Sequence, residues 1–120
     1  MILRVSIDAR DPAHVARVLA EMLDCRAVPS ASGWVLPMGE SALEITARLD
    51  PTPIAGGCRL ALATPLTIAQ VFALAGREGW PARYRRTPGA IELHVEGDRL
   101  IEVLTAEMQV DHRERTRLAE

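Results

Sequence analysis

An α+β fold is predicted for this chain: duplicated βαβββ units forming a curved mixed sheet, with helices on its outer face. Three observations predict it. First, Gly39-Glu40-Ser41-Ala42-Leu43-Glu44-Ile45 returns later as Gly97-Asp98-Arg99-Leu100-Ile101-Glu102-Val103. Both copies run glycine, acid, a variable residue, two apolar residues, glutamate and a β-branched residue. Glycine plus an acid is turn chemistry, and the run behind it suits a strand with its glutamate on the face opposite the apolar residues. Second, each copy closes the same order of patterns, a strand, a helix and three short strands, as expected of two copies of one supersecondary unit. Third, a proline- and glycine-rich stretch, Asp50-Pro51-Thr52-Pro53-Ile54-Ala55-Gly56-Gly57, separates them. The expected layout is unit 1 over about 1–50, a linker over 51–57, unit 2 over about 58–108 and a polar tail over 109–120.

The first unit opens with Leu3, Val5 and Ile7 alternating with Arg4, Ser6 and Asp8, a strand with one apolar and one polar face. Asp11-Pro12 supplies an N-cap and a proline at the first helical position. Val15, Val18, Leu19, Met22 and Leu23 recur at helical spacing, so a helix is predicted over Pro12–Leu23. Strands are expected around Arg26–Pro29, Trp34–Met38 and Ala42–Leu49, with Gly33 and Gly39 marking the turns. In the second unit Cys58–Ala63 reads as a strand, and Thr67-x-x-Gln70 is a capping box for a helix reaching about Arg77. Gly79 and Pro81 close that helix. Ala82–Arg86, Ala90–Glu96 and Arg99–Thr105 are the closing strands, with Thr87-Pro88-Gly89 as a turn. Trp80 is expected in the core, and the tail from Val110 as a loose helix or a frayed end.

Composition removes several function classes. A net charge of −2 argues against nucleic-acid binding, and 3% aromatic content leaves no stacking platform for bases. The uncharged stretch Leu60–Gly76 is shorter than the ~20 residues a membrane span needs, and Thr64, Pro65, Thr67 and Gln70 interrupt it. Cys25 and Cys58 have no metal-ligand spacing and are expected as buried thiols in a reducing compartment, so the protein is expected in the cytoplasm. No nucleophile elbow, phosphate-binding glycine loop or dinucleotide fingerprint is present.

Alternation sorts the side chains by face. Leu3, Val5, Ile7, Leu43, Ile45, Leu60, Leu62, Ile101 and Val103 are expected to meet the helices. Arg4, Ser6, Asp8, Glu44, Thr46, Arg59, Glu92, His94 and Glu102 are expected on the other, polar face, where chemistry would sit.

The duplicated order, the turn-then-glutamate closing strands and the strand–Asp–helix opening together resemble the vicinal oxygen chelate superfamily, the fold of glyoxalase I, bleomycin-resistance proteins and extradiol dioxygenases. The resemblance covers residues 2–105. It implies that the units wrap a cavity and that a chain this small pairs as a homodimer. Metal-dependent members place a histidine on a unit's first strand and a glutamate on its last. The glutamates match Glu44 and Glu102, but the first-strand positions are Arg4 and Arg59. Arginine stays protonated and offers no lone pair, so it cannot ligate a metal. Like charges 4 Å apart repel by about 4 kcal/mol at an effective dielectric of 20, and a divalent ion doubles that for each guanidinium. No metal and no cofactor are therefore expected.

Arg4/Glu44 and Arg59/Glu102 read either as ion pairs neutralising the polar face or as a pair of sets in which one arginine takes the carboxylate or phosphate of a small ligand. His94 reads as a hydrogen-bonded strand residue, or as a general base or remnant ligand beside Glu92 or Glu102. Trp34, with Leu36 and Met38, reads as an apolar wall of a ligand cavity or as a core or dimer contact. The run Arg83-Tyr84-Arg85-Arg86 reads as a solvated strand edge. The expected function is a metal-independent glyoxalase-like protein that binds a small molecule or serves as an interaction domain. The alternative is a divalent-metal lyase, isomerase or dioxygenase relative using Glu44, Glu102 and His94.

Overall fold

The computed structural model describes residues 3–47, 60–86 and 89–111, with side chains from Val5 onward in the first of these. The chain divides into two compact units, Met1–Gly57 and Cys58–Glu120.

Unit 1 contains β1 (Leu3–Ala9), α1 (Pro12–Leu23), β2 (Val28–Ser30), β3 (Gly33–Met38) and β4 (Ser41–Ala47). Its four-stranded sheet has the order β1-β4-β3-β2, with β1 parallel to β4 and the remaining pairs antiparallel. The Asp11 side chain caps α1 by accepting from the backbone N–H of His14 at 3.2 Å, with Pro12 in the first turn. Asp24 ends the helix in the left-handed conformation. The apolar stripe of α1 buries Val15, Val18, Leu19 and Met22 against Leu36, Leu43 and Ile45 of the sheet. The helix packs over β3 and β4 more than over β1. Val5 therefore departs from expectation: it shares a face with Leu43 but is 40% exposed, because it stands on an edge strand the helix barely covers.

Unit 2 repeats the order with β5 (Ala61–Ala63), α2 (Ile68–Glu78), β6 (Ala82–Arg86), β7 (Gly89–Val95) and β8 (Arg99–Leu104). Its sheet runs β5-β8-β7-β6, again with the first strand parallel to the last. The predicted capping box is formed: Thr67 accepts from the Gln70 N–H at 3.2 Å, and the Gln70 side chain accepts from the Thr67 N–H at 2.9 Å. Gly79 closes α2 at φ +72°, and Trp80 is buried behind it. Leu62, Ile91, Leu93, Val95, Ile101 and Val103 form the apolar face of this sheet. Residues 106–111 are helical.

The repeated phrase plays the same part in both units. Gly39 and Gly97 both take positive φ (+61° and +86°), and Glu44 and Glu102 follow on the closing strands between fully or nearly fully buried neighbours. The β3–β4 turn has Gly39 and Glu40 between the paired ends Met38 and Ser41, whereas the β7–β8 turn carries one more residue, Glu96, itself at φ +55°. The expected strand at Cys58–Arg59, the linker, the Thr87-Pro88 turn residues and the tail beyond Asp111 lie outside the described residues.

No helix among the described residues is long and apolar enough to cross a membrane.

Candidate functional site

In each unit the face turned away from the apolar core carries the polar side chains, and strand register decides which of them meet. In unit 1, Glu44 stands between Ser6 of β1 and Val35 of β3. The Ser32 hydroxyl, in the turn before β3, donates to its Oε1 at 2.8 Å. Asp8 pairs in register with Thr46, whose hydroxyl reaches the Ile7 carbonyl at 3.4 Å. Arg4 occupies the register position opposite Ala42, two residues before Ser6. Arg59 lies outside the described residues, so the expected pairing of Arg59 with Glu102 is not described.

Glu102 has a different partner. Arg85 of β6 reaches across β7 and donates from Nη1 to Glu102 Oε1 at 2.7 Å. Its register partner is Ala90, a fully buried residue too small to block the reach to β8. The side chains of Arg85 and Glu102 are 20% and 8% exposed, so this ion pair is largely withdrawn from water. Glu102 also sits directly opposite Glu92, a like-charge cross-strand pair that is destabilising unless a cation intervenes. Arg85 is that cation. The hydrogen bond to Glu102 raises the Arg85 pKa above its already basic value; burial opposes this, and the charges of Glu102 and Glu92 add to it. Arg83, opposite Glu92, shares the face but is exposed.

The expectation of a wholly solvated Arg83–Arg86 edge is thus corrected: the run alternates, and Arg85 points onto the polar face as a half-buried ion-pair partner. Hairpin register about Gly89 was the signal that could have found it, since it puts Arg83 and Arg85 in phase with Glu92, His94 and Glu102.

His94 is half-buried opposite Leu100, and its ring makes no hydrogen bond among the described residues. In α1 the His14 ring accepts at Nδ1 from Arg17 at 2.8 Å. Trp34 is opposite Ile45, and Leu36 opposite Leu43, so Trp34 lies on the helix-packed face and not with Glu44. Cys25 is a free, partly buried thiol whose pKa is raised by burial and then by Asp24, the reverse of what a nucleophile needs.

A divalent metal does not fit the residues in view. Among the described residues no three of His, Cys, Asp and Glu are placed to share an ion. The best donor, Glu102, already carries a guanidinium on its carboxylate.

No family model matches the chain, and no curated protein matches it in sequence. Solved structures do match. A protein described as a putative glyoxalase from Bacillus halodurans superposes at a TM-score of 0.68 with 15% identity, over 88% of this chain and 95% of that one. The fosfomycin resistance protein FosX from Mesorhizobium loti superposes at 0.60 with 18% identity, over 83% and 86% of the two chains. A lactoylglutathione lyase from Agrobacterium tumefaciens superposes at 0.57 with 14% identity, over 90% and 95%. The chain has the vicinal oxygen chelate fold. At these identities the likeness establishes the fold alone, and the chain's chemistry rests on its own residues.

Proposed function

We propose that this glyoxalase-like protein binds a small organic molecule on the polar faces of its sheets without using a metal. One observation carries the reading: the carboxylate at the closing-strand position of unit 2 is held at 2.7 Å by Arg85. A carboxylate so neutralised has little left to offer a cation, whereas Arg83 on the polar face of unit 2, with Arg4 and Arg59 as the sequence pattern assigns them, supplies donors for a carboxylate or phosphate group. Glu44, with its Ser32 hydrogen bond, is the hydrogen-bonding residue we assign to the polar face of unit 1, and His94 the one we assign to that of unit 2. The same reading takes the protein to be a homodimer working in the reducing cytoplasm, consistent with Cys25 remaining a thiol.

The test is elemental analysis of protein purified without chelators, followed by calorimetric titration with nickel, zinc, manganese and ferrous ions. Substoichiometric metal and no saturable heat are expected, with native mass spectrometry revealing any retained organic molecule. Stoichiometric metal that disappears in the Glu44→Ala/Glu102→Ala variant would establish the alternative, a metal enzyme using Glu44, Glu102 and His94. Light scattering over a dilution series should give twice the 13.1 kDa chain mass, and a constant monomer mass would remove the dimer from the reading.

A further inference from the structure

The apolar, helix-packed face of the unit 2 sheet carries an open groove of about 280 Å³, on the opposite side of the sheet from the Arg85–Glu102 pair. It lies between the start of α2, strand β6 and the helical residues 106–111. Ile68, Tyr84 and Met108 give it apolar walls, and Arg86, Thr105 and Glu107 give it polar ones. Ile68 and Tyr84 are 38% and 46% exposed, so part of their apolar surface stays open at the groove.

Two features of the polar walls point to a ligand. Thr105 is only 5% exposed, yet its hydroxyl has no hydrogen-bond partner among the described residues. Its backbone carbonyl accepts from Gln109 at 2.9 Å, while the side chain lines the groove. A buried hydroxyl without a partner is costly, and a group arriving in the groove can satisfy it. In addition, Arg86 and Glu107 line the same groove, and neither has an ion-pair partner among the described residues. Opposite charges that line one groove without pairing leave room for a molecule that bears both complementary charges.

We infer that this groove is a site for a small zwitterion with an apolar body, the chemistry of an apolar α-amino acid. Its carboxylate accepts from the Arg86 guanidinium and the Thr105 hydroxyl. Its ammonium donates to Glu107. Its side chain packs on Tyr84, Met108 and Ile68. The site lies on the face opposite the one assigned above and does not depend on that assignment.

The experiment is an amide chemical-shift titration of the full chain with L-leucine, 4-methylpentanoate (no ammonium) and isoamylamine (no carboxylate). Leucine should give saturable shifts at Tyr84, Gly89, Thr105, Glu107 and Met108 with a dissociation constant of roughly 1 mM, and each analogue should bind about tenfold more weakly. Arg86→Gln should weaken leucine and 4-methylpentanoate. Glu107→Gln should weaken leucine and isoamylamine and leave 4-methylpentanoate unchanged. Both positions are exposed, so neither variant should shift the unfolding temperature. Absence of saturation by about 20 mM leucine, equal binding of leucine and 4-methylpentanoate, or undiminished leucine binding by Arg86→Gln would each overturn the assignment.

Discussion

Arg85→Ala is expected to destabilise unit 2 by about 2–4 kcal/mol, more than any other substitution on its polar face. The cost arises from what remains. Glu102, at 8% side-chain exposure, keeps a charge it cannot hydrate, directly opposite a second carboxylate, Glu92. The figure sits toward the lower part of the range for broken buried pairs because Arg85 is itself 20% exposed and some water already reaches the pair. Glu102→Gln should cost less, about 1–2 kcal/mol: the amide oxygen can still accept, and the released guanidinium can turn toward solvent. Arg85→Met with Glu102→Leu removes both charges and should recover much of the loss. Urea unfolding of the four proteins checks the order, and an Arg85→Ala midpoint equal to wild type would mean the pair is solvated and contributes nothing. The pH dependence has a definite sign. The Arg85 pKa is raised, so its contribution is complete below the ordinary arginine value and lost only as pH rises through the folded value. From the arginine side, the pair's contribution is therefore flat across the neutral range. Arg85→Ala should also be the variant in which divalent cations first bind measurably, because it removes the guanidinium that sits on Glu102 opposite Glu92.

Much of the fold was legible in the sequence because its signals are local. The Asp11-Pro12 start and the apolar spacing through Leu23 set α1 as predicted, and the Thr67–Gln70 box and Gly79 bracket α2. The repeated Gly-acid phrase placed Glu44 and Glu102 at matching points of two closing strands, since turn chemistry and period-2 alternation need only neighbouring residues. The site was less legible because its key contact is not local. Arg85 meets Glu102 two strands away, which requires the β6–β7 and β7–β8 registers together and the small Ala90 between them. Val5 departed from its expected place for a related reason, and Trp34 took one of the two places open to it. Alternation assigns a residue to a face, but the position of α1 over β3 and β4 decides how deeply that face is covered, and Trp34 packs on the covered side. Arg4 and Arg59 remain assignments from the resemblance.

Gly33→Ala is the second large effect expected, a loss of about 3–5 kcal/mol in unit 1. The pattern marked Gly33 as a turn residue, but the structure gives it a more demanding place, the first position of β3 against the central strand β4. Its φ of +155° is one that side-chain-bearing residues rarely adopt, and a Cβ there would stand 2.1 Å from the Ile45 carbonyl oxygen. That oxygen is backbone, so no side-chain rotation relieves the clash, and β3 must move away from β4. The movement would loosen two contacts at once. Gly33 pairs with Thr46 at the end of the ladder that sets Val35 opposite Glu44, and the Ser32 hydroxyl that donates to Glu44 belongs to the adjoining turn. Gly76→Ala is the matching control: it lies within α2, and nothing stands within 4 Å of the added Cβ. Ala is favoured over Gly in a helix, so this variant should gain about 0.5–1 kcal/mol. Urea unfolding measures both, and amide exchange across residues 33–38 locates the first. A Gly33→Ala protein as stable as wild type, with protected β3 amides, would show that β3 and β4 do not approach as closely as described.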